Sequence, residues 1–133
     1  MHSKEQILKN TYLFANKEVP CALISAIIEH FSNFDPAATK DGHVGLMGIT
    51  YDQAIANGHM HIRMFDPNTN ITVGVNELQK LVKTARSRYP TAKLDDWYML
   101  AISAFLNGGK ITSVSEISRK IWENCRETVM KKS

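Results

Sequence analysis

Carboxylates lie on both sides of a glycine-rich stretch, and they are the side chains in this region that could take part most directly in catalysis. Glu29 and Asp35 belong to AIIEHFSNFDP, while Asp41 and Asp52 flank GHVGLMGIT. A partly buried carboxyl group keeps its proton near neutral pH because burial raises its pKa, and it can then act as the general acid in glycoside cleavage. The pattern raises the question of which carboxyl, if any, is placed for that role.

The histidines and cysteines do not form a metal or redox motif. Of the five histidines, His59 and His61 are close in sequence, but no third ligand has suitable spacing, and a zinc site needs three or four. Cys21 and Cys125 are far apart and fit neither metal nor redox spacing. We expect two reduced thiols, with one disulfide between them as the alternative. We expect no metal and no cofactor.

The composition is that of a globular protein. The chain has 133 residues, of which 44% are apolar, and we expect a single domain over residues 1–133. No apolar run reaches the roughly 18 residues of a membrane span, and no signal peptide is visible. The net charge is only +3, and the basic residues are scattered. This disfavours a nucleic-acid partner but allows attraction to an anionic polymer such as a cell wall.

Hydrophobic periodicity predicts a mainly α-helical fold, with about six helices around a buried central helix. The predicted helices span residues 3–17, 21–33, 51–57, 70–89, 94–106 and 114–130. The segment 21–33 is apolar nearly all round, which is typical of a buried helix. Ser113 and Glu116 form a capping-box pattern before the last helix. The glycines and prolines between the second and third helices predict a loop with a small β-hairpin near residues 42–50.

Four motifs follow one another in an order that matches a known family. They are VPCALISAIIEHFSNFDP, GHVGLMGIT, MFDPNTNITVGVNELQKL and LAISAFLNGG. Over about residues 18–112 the chain resembles the lysozyme-like domains of soluble lytic transglycosylases and goose-type lysozymes. The resemblance implies an α+β lysozyme-like fold, a peptidoglycan substrate and one catalytic Glu at the end of the second helix. Asp66, Pro67 and Asn70 support the fold alone, since such residues begin helices.

Three positions depart from the family pattern, and each departure affects catalysis. Phe31 stands at the position of the catalytic Glu, and a phenyl ring cannot donate a proton. Gly48 stands where the family has Gln after Gly-Leu-Met. Phe105 replaces a tyrosine whose hydroxyl meets the sugar, and Asn107 matches the family Asn only if Leu106 is an insertion. Because general acid catalysis contributes about 10²- to 10⁴-fold, we expect little or no cleavage.

The resemblance also implies a groove that retains contacts with a glycan. Its expected lining consists of Ser32, Gly45, Met47, Gly48, Tyr51, Phe105 and Asn107. Sugars stack on aromatic and methionine faces and bond to exposed backbone groups. For Met47 and Phe105, packing in the core is the alternative. The ring of Phe31 is expected to fill the former acid pocket and to narrow it.

Three functions stay open at this point. The first is a lysozyme-like domain that recognises peptidoglycan or a related glycan without cutting it, or that cuts it poorly. The second is an active transglycosylase or lysozyme with a relocated acid such as Glu29, which lies about 200° around the helix from Phe31 and is otherwise a solvated carboxylate. The third is an interaction or structural module with a protein partner, for example in a phage or secretion assembly.

The compartment is not determined by these patterns. Peptidoglycan lies outside the cytoplasm of bacteria, so a protein that acts on it has to reach the cell wall. Phage origin, truncation or another export route would each account for the lack of a visible signal peptide.

Overall fold

The computed structural model describes residues 3–131, and it is mainly helical, as the hydrophobic periodicity predicts. The α-helices are α1 (Lys4–Phe14), α2 (Cys21–Ser32), α3 (Tyr51–Ala56), α4 (Pro67–Arg88), α5 (Leu94–Leu106) and α6 (Glu116–Lys131). Two strands, β1 (Thr39–Lys40) and β2 (His43–Val44), lie between α2 and α3, and a 3₁₀-helix at His61–Phe65 precedes α4. No helix of the described residues is long and apolar enough to cross a membrane.

The start of α4 is set by the sequence Asp-Pro, three residues before the predicted start. The carboxylate of Asp66 accepts a hydrogen bond from the backbone N–H of Thr69 at 3.0 Å. Pro67 occupies the first helical position, where a missing N–H costs nothing. The 3₁₀-helix before it was predicted as a loop, so the chain enters α4 from a more ordered segment than expected.

The start of α6 differs from the prediction. The helix begins at Glu116, and the side-chain oxygen of Ser115 accepts a hydrogen bond from the N–H of Ser118 at 3.1 Å. The capping box predicted from Ser113 and Glu116 is therefore wrong. Ser113 and Ser115 could each cap the helix on local grounds, and in the tertiary structure the cap is Ser115.

The β region is a tight hairpin extended by one bridge. The strands are antiparallel, with Thr39 opposite Val44. The turn residues Asp41 and Gly42 both have positive φ, 51° and 82°, as in the hairpin turns whose twist matches that of the strands. Val44 also forms a bridge with Ile49. The predicted hairpin is confirmed, although its first strand begins three residues earlier than predicted.

The buried hydrophobic residues form one cluster, to which every α-helix contributes. The helix predicted to be central, α2, contributes four side chains without exposed area: Leu23, Ile24, Ile27 and Ile28. Its other face is open, since Glu29 and His30 are exposed. α2 packs against α1 and α6, whereas α4 packs against α1, α3, α5 and the 3₁₀-helix. The end of α2 thus meets the hairpin segment at one side of the core.

Candidate functional site

Phe31 lies in the last turn of α2, half-buried against the segment that follows the hairpin. Its ring faces Gly48: a Cβ atom at position 48 would lie 2.7, 2.8 and 2.9 Å from three ring carbons, closer than real side chains approach. Gly48 also has a φ of +68°, a conformation that favours glycine. The phenyl ring fits because position 48 carries no side chain, so the residues at positions 31 and 48 depend on each other.

A histidine of β2 lies beside Phe31. The ring centroids of His43 and Phe31 are 6.0 Å apart, and the planes are tilted by 45°. Nδ1 of His43 lies 3.0 Å from the carbonyl oxygen of Gly48. Because a carbonyl oxygen only accepts hydrogen bonds, Nδ1 carries the proton in this contact. The ring of Phe31 is therefore bordered by an imidazole and by backbone.

A second histidine is held in the same way at the next residue of the segment. Nε2 of His61 lies 2.8 Å from the carbonyl oxygen of Ile49. The ring of Tyr51 packs edge-on against this imidazole, with centroids 6.1 Å apart. Tyr51 is 60% exposed, whereas His61 is half-buried. Consecutive carbonyl groups thus hold two imidazoles, and each imidazole has an aromatic neighbour.

Ser32 has a structural role in this arrangement. Its hydroxyl is buried and lies 2.8 Å from the carbonyl oxygen of Leu46 and 2.9 Å from that of Ile28. A hydroxyl has one proton to donate, and both acceptors belong to the protein itself. Ser32 therefore connects the end of α2 to the Gly-Leu-Met segment, and its donor is already used.

Asn70 connects the same segment to α4. Its Oδ1 accepts a hydrogen bond from the N–H of Met47 at 2.9 Å, and its Nδ2 donates to the carbonyl oxygens of Val44 and Met64, both at 2.9 Å. A Cβ atom at Gly74 would collide with the side chain of Met47. The motif that was predicted to begin a helix therefore also positions the segment beside Phe31.

Several residues predicted to line the groove belong to the interior instead. Met47 and Phe105 have no exposed area, and Gly45 and Gly48 are also buried. The carbonyl oxygen of Phe105 accepts a hydrogen bond from Nε2 of Gln53 at 3.3 Å, which joins α5 to α3. The structure shows the packing alternative for Met47 and Phe105, and neither side chain lies at the surface.

Two predicted lining residues are open to solvent. Tyr51 begins α3, beside the 48–49 segment. Asn107 follows α5 and is exposed, and its N–H lies 3.1 Å from the carbonyl oxygen of Ser103 and 3.2 Å from that of Ala104. The side chains of Tyr51 and Asn107 are therefore the ones from the predicted set that a ligand can reach.

Glu29 lies in a different part of the molecule from the ring of Phe31. It is exposed on α2 and lines a cleft of about 840 Å³ between α2 and α6. Ser25 and Lys120 line the same cleft. Glu29 and Phe31 are two residues apart on α2, which corresponds to about 200° of rotation around the helix. Their side chains therefore face different elements. The relocated acid considered from the sequence would have to act in this cleft.

The remaining carboxylates near the hairpin are on the surface. Asp35, Asp41 and Asp52 are all exposed. One oxygen of Asp35 accepts a hydrogen bond from the N–H of Ala37 at 2.9 Å, which stabilises the turn after α2. Within residues 3–131, no group of three or more His, Cys, Asp or Glu side chains is arranged to hold a metal ion.

Helices packed around one core, with a short hairpin at the end of α2, define an α-dominated domain of the lysozyme-like class. The chain belongs to the transglycosylase SLT domain family, because the sequence model of that family matches residues 12–120. The match confirms the resemblance to lytic transglycosylases, and it implies peptidoglycan as the substrate of the family. Comparisons with curated proteins and with solved structures gave no match.

His43 and His61, which bond to the carbonyl oxygens of Gly48 and Ile49, were considered from the sequence only as metal ligands. For His43, the sequence did contain an indication of its position beside this segment. His43 alternates with the buried Val44 in a short strand next to Gly-Leu-Met. For His61 no local pattern indicates its position. Its contact with Ile49 depends on how the 3₁₀-helix packs against the segment.

Proposed function

We propose that this chain recognises peptidoglycan and that its ability to cleave the glycan is absent or strongly reduced. The observation that carries the proposal is the ring of Phe31, which is packed onto Gly48. The proposal takes position 31 as that of the family's general acid. The family membership supports the choice of ligand. We also propose that residues 1–133 form one domain, which the single cluster of buried hydrophobic residues supports.

The chemical requirement is a proton donor at the leaving oxygen of the glycosidic bond. A phenyl ring offers none, and loss of a general acid usually costs about 10²- to 10⁴-fold in rate. The ring of Phe31 contacts Gly48 and His43, and neither of these residues carries a carboxyl group. Burial of Phe105 removes a second family position from the reacting sugar.

A relocated acid is the second candidate, because Glu29 lines an open cleft of about 840 Å³. In this case cleavage would occur between α2 and α6 and would not involve the 48–49 segment. The Glu29→Gln variant removes the acidic group while keeping the size of the side chain. Clearing of cell walls by the wild type that is lost in this variant would support the second candidate.

The test uses purified insoluble peptidoglycan. We expect the wild type to sediment with the walls while their turbidity stays constant. Tyr51→Ala is expected to weaken sedimentation, since this exposed ring lies beside the segment. Tyr12→Ala is the matched control, because Tyr12 is 68% exposed on α1. Lack of sedimentation of the wild type would overturn recognition and favour a protein-interaction module, and clearing at an ordinary enzymatic rate would overturn the loss of catalysis.

A further inference from the structure

We propose that His43 and His61 are glycan-contacting residues, whose outward ring nitrogens accept hydrogen bonds from the hydroxyl or acetamido N–H groups of an amino-sugar chain. The inference rests on the proposed function and adds the chemical groups that perform recognition. Neither histidine belongs to the lining predicted from the family pattern. The argument starts from the protonation of the two rings.

Each imidazole uses one nitrogen on the backbone. Nδ1 of His43 donates to the carbonyl oxygen of Gly48, and Nε2 of His61 donates to that of Ile49. A neutral imidazole has one N–H, so the opposite nitrogen of each ring is an acceptor. The tautomers are thus set by the carbonyl groups, and the two acceptors are Nε2 of His43 and Nδ1 of His61.

These acceptors are not fully buried. Both rings are half-buried, and the bonds to Gly48 and Ile49 are their side-chain hydrogen bonds. Among residues 3–131, no buried side-chain nitrogen or oxygen lacks a hydrogen-bond partner. If the second nitrogen of either ring were buried, it would lack such a partner. It follows that each acceptor is at least partly exposed.

The backbone that holds the rings is itself held in place. The N–H of Val44 donates to the carbonyl oxygen of Ile49 at 3.0 Å, and the N–H of Ile49 donates to that of Val44 at 2.9 Å. The carbonyl of Ile49 therefore accepts from Val44 and from His61 together. Fixed acceptors lose little conformational freedom on binding, and this favours affinity.

Each acceptor has an aromatic ring beside it. Phe31 lies next to His43, and the exposed ring of Tyr51 lies next to His61. A pyranose presents an apolar face that stacks on aromatic rings and hydroxyl groups that donate at its edge. Each of the two histidines combines an acceptor with a neighbouring aromatic ring, and the histidines are held by consecutive residues of the segment. This combination matches the chemistry of a pyranose. The loss of the family's Glu, Gln and Tyr therefore leaves a surface suited to binding without cleavage.

The test separates ligand contact from support of the segment. In His43→Asn, the amide nitrogen replaces Nδ1 as donor to Gly48 while the acceptor at Nε2 is removed. In His61→Gln, the amide nitrogen replaces Nε2 as donor to Ile49 while the acceptor at Nδ1 is removed. Both variants are expected to keep the thermal midpoint of the wild type. Each is expected to sediment with peptidoglycan about fivefold more weakly, which corresponds to the loss of one hydrogen bond.

The controls are the same substitutions at histidines away from the segment, His30→Asn and His59→Gln, and these are expected to bind like the wild type. Imidazole NMR of the wild type gives a readout that does not depend on variants. Soluble glycan strands released from the same walls should shift the ring signals of His43 and His61 and leave those of His30 and His59 in place.

The outcomes distinguish the two proposals. If the wild type sediments and both variants sediment equally well, with unshifted ring signals, the histidine inference is overturned and the proposed function stands. If the wild type does not sediment and its spectra do not change, the proposed function fails and the histidine inference fails with it. Weaker binding of the two variants, with shifts confined to His43 and His61, supports the inference.

Discussion

At position 31, a half-buried phenyl ring packs onto the backbone of Gly48. Gly48 provides the space for this ring, because a Cβ atom there would lie 2.7 Å from the ring. The packing at this point is therefore a property of the pair of positions.

The contact between these positions predicts an unequal effect of one substitution in two backgrounds. In the wild type, Gly48→Ala should lower the free energy of unfolding by about 1–2 kcal/mol for the positive φ. Overlap with the ring should cost about 1–3 kcal/mol more. In a Phe31→Ala background only the first cost should remain. Urea denaturation of the four proteins measures the difference, and additive effects would contradict the packing of Phe31 on Gly48.

At the scale of elements, a few buried polar contacts decide how α4 and the hairpin segment meet. Asn70 satisfies one N–H and two carbonyl groups of backbone that leaves the hairpin or precedes α4. One of them, the carbonyl of Val44, also accepts a hydrogen bond from the N–H of Ile49. The segment beside Phe31 is therefore ordered by a side chain of a helix that lies far away in sequence.

Asn70→Ala should be among the most destabilising single changes in the chain. It leaves three buried backbone groups without this partner, so we expect a loss of about 2–4 kcal/mol in the free energy of unfolding. Asn76→Ala is the control, since Asn76 is exposed on the same helix and should change stability by less than about 0.5 kcal/mol. A loss below about 1 kcal/mol for Asn70→Ala in urea denaturation would show that water or other groups replace these bonds.

The packing of α6 on α5 depends on a second polar contact. Asp95 accepts a hydrogen bond from the indole N–H of Trp122 at 2.6 Å, and it forms an ion pair with Arg126. The indole of Trp122 is buried and stacks on Tyr98, with centroids 4.7 Å apart. The hydrogen bond from Arg126 holds the pKa of Asp95 below its usual range, and the bond from Trp122 acts in the same direction.

This lowered pKa predicts a pH dependence of stability. A carboxyl with a lower pKa in the folded state stabilises the fold above its unfolded pKa, near 3.9, and the contribution is lost as pH falls through the folded pKa. Asp95→Asn should therefore unfold at a lower temperature than the wild type at pH 7. The gap should narrow below about pH 4, first as the carboxyl of the unfolded chain becomes protonated and finally, at lower pH, as the folded-state carboxyl does. Thermal scans from pH 2 to 7 check this, and a constant gap would contradict the role of the charge.

At the scale of the whole molecule, the two cysteines lie in different parts of the fold and differ in burial. Both are free thiols in the structure: Cys21 is half-buried at the start of α2, and Cys125 is buried in α6. Burial raises the pKa of Cys125 to about 11. At pH 8 this thiol is almost fully protonated as well as shielded from reagents.

Labelling with iodoacetamide should therefore distinguish the two thiols. Cys21 is expected to react in the native protein, while Cys125 should react only as fast as the protein opens. A Cys21→Ala variant isolates the second reaction, and mass spectrometry follows it over a urea series. Reaction of Cys125 in native buffer at the rate of a free thiol would contradict its burial. If neither cysteine labels in the unfolded protein until a reductant is added, a disulfide is present and the free-thiol state is contradicted.

Much of the fold could be predicted from the sequence because helices depend on near neighbours. The apolar spacing of residues 94–106 gave α5 its predicted bounds, and both ends match the observed Leu94–Leu106. The start of α6 could not be predicted in the same way, because Ser113 and Ser115 are both good caps locally. The turn at Asp41 and Gly42 carried a hairpin signal that places the first strand earlier than predicted.

The sequence by itself determined the family of the chain, because motif order and identity are properties of the linear chain. Only the tertiary structure decided that this ring packs on Gly48, that Met47 lies in the core and that Glu29 faces the cleft beside α6. It also brought two histidines to consecutive carbonyl groups. Such contacts join residues from different elements, and their geometry depends on packing that no local pattern encodes.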